Sequence, residues 1–337
     1  MKRVITLEHG GGGRLMRELI EGLIIPAYRL NRAPGGIGLP EMDDGASIKV
    51  AGINIVLTTD AYTVSPIFFP GGDIGRLAAC GTINDLSVMG ARPLALATSM
   101  VVEEGFEVEK LSRIIRSIDE VSYEVGVPVV AGDTKVMEKG KIDEIVINAS
   151  GVGLADKVIS DSGLRPGDKI IITGPIGDHH IALLSARGDL GFEVPVKSDT
   201  APLWETVEAA LDLGAVTAMK DPTRGGVASA LNEMAKKSKV DIHVWEERIP
   251  IREEVLGVAE ALGLDPLELT NEGVVIMGVR SELAEEALQA VRATRYGSMA
   301  EMVGEVREGS GLVVLETVVG GRRVVREPLG APVPRIC

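Results

Sequence analysis

Five aspartates lie where the chain breaks pattern, each close to glycine, threonine or asparagine. They are Asp44 in Met42-Asp43-Asp44-Gly45-Ala46, Asp60 in Thr58-Thr59-Asp60, Asp85 after Asn84, Asp133 in Gly132-Asp133-Thr134-Lys135, and Asp221 in Asp221-Pro222-Thr223-Arg224-Gly225-Gly226. Taken singly, each reads as readily as a helix cap or a turn residue. Brought together, five carboxylates would repel one another, and a hard divalent ion such as Mg²⁺, which favours carboxylate and phosphate oxygens, would relieve that repulsion. Two glycine-rich stretches supply the complementary half. His9-Gly10-Gly11-Gly12-Gly13-Arg14 is either a mobile link or a loop whose N–H groups fold over a phosphate; it is not a P-loop, because no Gly-Lys-Ser/Thr follows. The 220–226 loop joins helix-start residues, a proline that sets φ and paired glycines, which leaves N–H groups free to wrap an anion. Acidic residues and glycine loops in one chain read as metal–nucleotide binding.

A second chemical feature is the thiol of Cys337, beside the terminal carboxylate. Three prolines between Pro328 and Pro334 disfavour helix and sheet, and residues 328–337, fully extended, would span roughly 33 Å at ~3.3 Å per residue. Such a tail could carry its thiol into a cleft, or it could be a frayed end with an incidental cysteine. Cys80 sits in the small-residue run Leu77-Ala78-Ala79-Cys80-Gly81 and reads as a buried apolar filler. Two dissimilar, distant cysteines give no disulfide framework and no zinc spacing, and a terminal cysteine is not the prenylation signal.

The elements that must position these groups alternate. In the first half, apolar residues from Leu15 to Ile24 recur at helical spacing, and Ser47–Val50 and Ile53–Thr59 form two strands turned at Gly52, a hairpin that would bring Asp44 and Asp60 near each other. A helix follows through Asn84-Asp85 to the stop Gly90-Ala91-Arg92-Pro93. Then come a strand over 94–102, a helix over 108–125, a strand over 127–131 that ends in Gly132-Asp133-Thr134-Lys135, and a strand over 145–153. Leu164-Arg165-Pro166-Gly167-Asp168 is a turn and the candidate domain boundary. Beyond it, helices are expected over 179–186, 203–213, 226–237, 252–262 and 282–292, with strands over 169–173, 240–245, 273–279 and 311–316. The domain expectation is therefore an α/β unit over 1–155, a second over 156–327 and a tail over 328–337. At 337 residues with 45% hydrophobic content there is material for two cores. Aromatics at 3% leave no stacking platform for single-stranded nucleic acid, and a net charge of −14 repels polyanions, so no nucleic-acid partner is expected. With neither a signal-peptide pattern nor an apolar run of bilayer length, no membrane association is expected, and the expected location is the cytoplasm.

The same segments resemble a known family. Asp43-Asp44-Gly45-Ala46, Thr59-Asp60, Asn84-Asp85-Leu86-Ser87-Val88-Met89-Gly90-Ala91, Ala131-Gly132-Asp133-Thr134-Lys135 and Asp221-Pro222-Thr223-Arg224-Gly225-Gly226 look like the ATP-site motifs of the aminoimidazole ribonucleotide synthetase-like superfamily. That group includes formylglycinamide ribonucleotide synthetase, selenophosphate synthetase and thiamine monophosphate kinase. Within it, His9–Arg14 and the terminal Pro334-Arg335-Ile336-Cys337 resemble the hydrogenase-maturation branch, and the likeness runs along essentially the whole chain. The resemblance implies a two-domain α/β (α+β) fold whose N-terminal strands form a barrel with those of a second subunit in a homodimer. It implies ATP at the junction, met by His9, Gly12, Gly13, Asp44, Asp60, Asn84, Asp85, Gly132, Asp133, Asp221, Arg224, Gly225 and Gly226. Mg²⁺ would be held by Asp44, Asp60, Asp85 and Asp221. It further implies a reaction in which a carbamoyl group, placed on the terminal cysteine by the carbamoyltransferase HypF, is dehydrated to a thiocyanate with ATP. The cyanide then passes to iron on a HypC–HypD scaffold for a [NiFe]-hydrogenase.

That chemistry needs Cys337 as the carrier. It also needs a base for the amide protons, because water leaves only after phosphorylation has turned the carbamoyl oxygen into phosphate. Lys135 and Glu272, in Thr270-Asn271-Glu272-Gly273, are the candidates, and either could equally be a surface charge. Selenophosphate synthesis is the enzymatic alternative and would want a cysteine near His9–Arg14, where there is none. A non-catalytic adaptor that displays its C-terminal carboxylate is the alternative from another class.

Overall fold

The computed structural model of the protein describes residues 4–330. The expected first helix is present but interrupted: α1 (Gly13–Leu19) runs through a π-helical turn over Ile20–Ile24 into α2 (Ile25–Ala27). β1 (Ala46–Val50) and β2 (Ile53–Tyr62) pair as an antiparallel hairpin. The two residues between them, Ala51 and Gly52, have φ of 51° and 88°, the positive values that suit a two-residue turn to the twist of its strands. The short β3 (Phe68–Phe69) and β4 (Gly72–Asp73) lead into α3 (Ile74–Val88). Then follow β5 (Arg92–Glu103), α4 (Val108–Val125), β6 (Val129–Met137) and β7 (Ile145–Ala155). These strands form a five-stranded sheet in the order β1-β2-β7-β5-β6, with β5 and β6 parallel across the α4 crossover. One chain leaves this sheet open, with β1 and β6 at its edges; the barrel expected from the resemblance is not closed within a single chain.

α3 is the buried axis of this half. Every residue of it but Arg76 is buried, and Asp73 caps its start by accepting the N–H groups of Gly75 and Arg76 at 2.9 and 3.0 Å. Its small residues are required by contact: a Cβ on Gly81 would lie 2.6 Å from the Tyr62 hydroxyl oxygen. Cys80 is fully buried and its thiol is pushed up to about 12 by burial, which fits the filler role read from the sequence.

The second half contains β8 (Lys169–Ile172), α5 (Asp178–Arg187), α6 (Trp204–Leu211), β9 (Val216–Lys220), α7 (Gly226–Ser238) and β10 (Val240–Trp245). It continues with α8 (Glu253–Leu262), β11 (Ile276–Val279), α9 (Ala284–Arg292), β12 (Glu301–Glu308), β13 (Val313–Glu316) and β14 (Arg322–Val324). Its seven strands run β14-β13-β10-β12-β8-β11-β9. Aliphatic side chains fill both faces: Val227, Leu231 and Met234 of α7 pack on one, and Val207 of α6 with Leu288 of α9 on the other.

Two sequence expectations change. Strands β9, β12 and β14 were not foreseen, and pairing in the second sheet is antiparallel except between β10 and β13. β6 extends to Met137, so Gly132, Asp133 and Lys135 lie inside an edge strand rather than in a loop after one, and all nine residues of β6 are exposed. Among the described residues no helix is long and apolar enough to cross a membrane.

Candidate functional site

The β1–β2 hairpin, α3 and the loop after β9 meet at one cleft with two arms. The larger, about 760 Å³, is lined by apolar side chains that include Met16, Ile20, Ile37, Leu39, Met42 and Leu57, and is large enough for a nucleoside. The smaller, about 320 Å³, is polar and is lined by Asp44, Asp60, Asp85, Asp221, Arg224 and Glu272. Asp43, Asp44, Thr58, Thr59, Asp221, Thr223 and Arg224 border both arms, so one elongated ligand with an apolar end and an anionic end would fit across them.

Each carboxylate in the polar arm is strained electrically. Burial pushes Asp44, Asp60 and Asp85 above the usual carboxylate range, and repulsion among Asp221, Asp60 and Asp44 pushes Asp85 further. Asp221 is raised to about 7 by burial and by Asp44, with Lys220 opposing. The Thr58 hydroxyl lies 2.7 Å from Asp85 Oδ2 and 3.0 Å from the Asp44 carbonyl oxygen. A hydroxyl has one proton to give. Thr58 therefore shares it between Asp85 Oδ2 and the Asp44 carbonyl, and its bond to Asp85 opposes part of the rise in that carboxyl's pKa. Glu272 is also raised well above its ordinary value, by burial and then by Asp199 and Asp221, with the Arg224 charge opposing.

Cations compensate from one side. Lys220, buried and unforeseen in the sequence reading, places Nζ 2.7 Å from Asp44 Oδ1, 3.4 Å from Glu233 and 3.5 Å from Asp161. Lys237 donates to Asp161 at 2.6 Å and to the Met42 carbonyl at 2.7 Å. The other Asp44 oxygen, Oδ2, is buried with no hydrogen-bond partner. Among the described residues no group of three or more His, Cys, Asp and Glu side chains is arranged to hold a metal ion by itself. Asp44, Asp60, Asp85 and Asp221 all line the polar arm and offer oxygen donors, the ligand type Mg²⁺ takes together with phosphate and water.

Both glycine-rich stretches border the cleft. α7 begins at Gly226, which lines the larger arm and donates its N–H to the Thr223 carbonyl at 3.1 Å, so the helix turns its positive dipole end toward the cleft. Gly225 and Gly226 have φ of 79° and 60°, and a Cβ on Gly226 would lie 2.5 Å from the Leu269 carbonyl oxygen. Gly12 (φ 81°) packs against the Arg224 backbone so closely that a Cβ would fall 2.8 Å from its carbonyl carbon; Gly12 and Gly13 line the larger arm and Gly10 the smaller.

Other expected contacts lie elsewhere. His9 turns its Nδ1 to the Thr6 hydroxyl at 2.8 Å and does not line the cleft. Asn84 is buried, with its amide nitrogen on the Ala201 carbonyl at 3.0 Å and its Oδ1 on the Leu203 N–H at 2.8 Å, so it ties α3 to the second half instead of facing a ligand. Gly132, Asp133 and Lys135 are exposed on β6, outside this chain's own cleft. Cys337 lies outside the described residues. Besides Lys220, the sequence reading passed over Asn271 and Asp199. Asn271 donates to the Pro222 carbonyl at 2.9 Å and accepts from Gly177 N–H at 2.7 Å, which sets the loop carrying Asp221. Asp199 Oδ2 accepts the N–H groups of Glu272 and Gly273 at 3.1 and 2.9 Å and fixes the backbone beneath Glu272. Asn271, two residues before Gly273, carried a weak signal of this kind, and Asp199, in Lys197-Ser198-Asp199-Thr200, carried none.

Asp199 gives a pH test. Burial first and Asp178 second push its carboxyl up to about 7, above the 3.8 of an unperturbed aspartate. A raised folded pKa means that this contribution to stability is complete below about 4 and is lost as pH rises through about 7. The parent's melting temperature should therefore fall more between pH 4 and pH 8 than that of Asp199→Asn, measured by calorimetric scans. Parallel curves for the two proteins would remove Asp199 as the cause.

A nucleoside-sized pocket thus opens onto an acidic arm between two α/β halves. Residues 42–155 match the AIR synthase related protein N-terminal domain and residues 165–316 the C-terminal domain of the same family. A hydrogenase expression/formation protein of Methanocaldococcus jannaschii is 48% identical over 99% of both chains. A carbamoyl dehydratase HypE of Rhizobium leguminosarum bv. viciae is 43% identical over 99% of this chain and 95% of its own. Among solved structures, a HypE–HypF complex aligns with a TM-score of 0.86 at 44% identity, over 92% of this chain and 99% of that one. HypE in complex with ATP aligns at 0.81 and 40% identity, over 99% and 100%. The chain belongs to the HypE family of AIR synthase related proteins.

Proposed function

We propose that this protein is an ATP-dependent carbamoyl dehydratase of hydrogenase maturation that converts an S-carbamoyl group on its own Cys337 to a thiocyanate. The observation that carries the reading is the two-armed cleft, whose apolar arm suits a nucleoside and whose carboxylate-lined arm suits its phosphates, with Glu272 in the polar arm. The carbamoyl oxygen attacks the γ-phosphorus and ADP leaves. Loss of both N–H protons then expels that oxygen within phosphate, so one S-carbamoyl group and one ATP become one thiocyanate, one ADP and one phosphate.

Glu272 is the proposed base: burial first, and then the neighbouring charges of Asp199 and Asp221, raise its pKa and make its ionised form a better proton acceptor. Arg224, which borders both arms, takes up phosphate charge. Asp44, Asp60, Asp85 and Asp221 would hold Mg²⁺, which when bound neutralises the phosphate oxygens. Lys135 and Asp133 enter through a second copy. β6 is an edge strand, paired only with β5 and fully exposed, with Val129, Val130, Val136 and Met137 on it, and edge strands of two subunits closing into one barrel would cover them and make a homodimer. The carbamoyl donor would be HypF, the acceptor an iron site on HypC–HypD, and the setting the cytoplasm.

Incubating the carbamoylated protein with ATP and Mg²⁺ and weighing it intact is the test. One water mass should be lost per chain; ADP formed at an unchanged protein mass would turn the reading toward a plain phosphotransferase acting on a separate substrate. Asp85→Asn should weaken Mg²⁺-ATP binding by about 10–100-fold, the equivalent of one charged contact of ~1.5–3 kcal/mol. The same change removes a buried, mutually repelling carboxylate, so its melting temperature should not fall. Calorimetry with undiminished affinity would take Asp85 out of the site.

A further inference from the structure

The last described residues are not loose. Val325 is still held by the second sheet, its N–H on the Val313 carbonyl at 2.9 Å and its carbonyl taking the Asn232 amide at 3.1 Å. Two residues on, Glu327 is gripped from both sides: Arg17 of α1 at 2.6 Å and Lys236 of α7 at 2.7 Å, both on Oε2, with a side chain only 7% exposed. Glu327 Oε1 is buried without a partner, so the carboxylate is committed to this spot by its two cations. The chain then lies across the start of α1, where Arg14 and Leu15 donate their N–H groups to the carbonyls of Pro328 and Leu329 at 3.1 and 3.2 Å. Those are two of the donors that a helix start leaves unpaired. Gly13 is required for the approach, because a Cβ there would lie 2.4 Å from the Pro328 carbonyl oxygen.

α1 faces two ways. Gly13, Met16 and Arg17 line the large arm of the cleft, and the same turn holds residues 327–329. We propose that Glu327, clamped between Arg17 and Lys236, is a positioning residue that fixes the root of the C-terminal segment to the helix lining the nucleotide arm. The clamp raises the concentration of the terminal thiol at the polar arm. This rests on the dehydratase reading given above. With the clamp closed, seven residues, 331–337, lie beyond the last described residue up to Cys337; were it opened back to the hold on Val325, the count would be twelve, 326–337. Effective concentration falls roughly as the −3/2 power of tether length, so lengthening from seven residues to twelve lowers it about twofold before any loss of direction is counted.

The test separates tethering from catalysis by running the reaction two ways. In the first, full-length carbamoylated protein is mixed with saturating ATP and Mg²⁺, and water loss is followed by intact mass. In the second, a ten-residue peptide ending in S-carbamoyl cysteine is supplied to full-length Cys337→Ser protein. Glu327→Gln should slow the first reaction at least about twofold and leave the second unchanged, and Lys236→Met should do the same to a smaller degree. Equal slowing of both reactions would mean that Glu327 shapes the cleft, and no slowing of either would mean that the clamp is idle; each overturns the proposal. Amide exchange reads the clamp without any chemistry. Arg14 and Leu15 should exchange several-fold faster in Glu327→Gln than in the parent, and unchanged exchange overturns the clamp by itself. Failure of the parent to lose water in either format, with exchange responding as expected, would condemn the dehydratase reading and leave the anchoring intact.

Discussion

Replacing Cys337 by serine is expected to abolish nitrile formation while ATP affinity and assembly stay at the parent level. Serine is nearly isosteric, but its oxygen is far less nucleophilic than a thiolate near neutral pH, so the carbamoyl carrier is lost before dehydration can begin. No residue placed in the cleft is altered, so calorimetric Mg²⁺-ATP binding should match the parent. Mass spectrometry after exposure to the carbamoyl donor should find no carbamoyl or thiocyanate adduct. A full-yield adduct on the serine protein would move the chemistry away from residue 337. Reach is tested alongside identity: deleting 331–334 shortens the extended tail by roughly 13 Å at ~3.3 Å per residue and should permit carbamoylation by an external enzyme yet stall before water loss.

The second large effect is expected at Glu272. Glu272→Gln keeps the size and the backbone bonds to Asp199, and removes only the proton acceptor. Water loss from carbamoylated protein should fall by about 10²–10⁴-fold, the usual contribution of a general base, while Mg²⁺-ATP affinity stays within a few-fold. Single-turnover mass spectrometry against time is the measurement, and a rate within threefold of the parent would leave Glu272 as a wall of the cleft. Lys135→Ala is a useful contrast because its side chain is exposed on β6 of its own chain. If it acts through a second copy, the difference in rate between Lys135→Ala and the parent, followed by intact mass, should vanish when both are diluted to monomers, and a difference that persists would place Lys135 in its own chain's reaction.

How much of this could be read in advance depended on range along the chain. The β1–β2 hairpin was legible because a glycine turn and alternating residues act locally, and with it the approach of Asp44 and Asp60. α4 was legible because Ile114, Ile118 and Val121 repeat at helical spacing and Gly126 ends the helix at φ 72°. Sheet pairing was not: β12 lies between β10 and β8, and nothing in Glu301–Glu308 names those partners. The error at β6 had a related cause. Gly132-Asp133-Thr134 looks like a turn on propensity, but pairing with Thr98, Ser99 and Met100 of β5 holds it extended. Asn84 was misjudged because a motif position says that a residue matters without saying to what; here its partners are 117 and 119 residues away. Lys220 was missed because a lysine beside an aspartate looks like surface until its burial is known.

The placement of β2 has a consequence for synthesis. β2 is interior to its sheet, and Thr59 and Asp60 find their partners in Ser150 and Ala149 of β7. During translation the β1–β2 hairpin can form early, but its second edge stays bare until the ribosome has added the residues from 63 to 155. At ~5–20 residues per second, that is about 5–20 s in which Ile55, Leu57 and Thr59 offer unpaired backbone to any neighbouring chain. Crowded polysomes should therefore be the most hazardous place for this protein, and a chaperone that shields nascent strands should raise its yield more than one that acts after release.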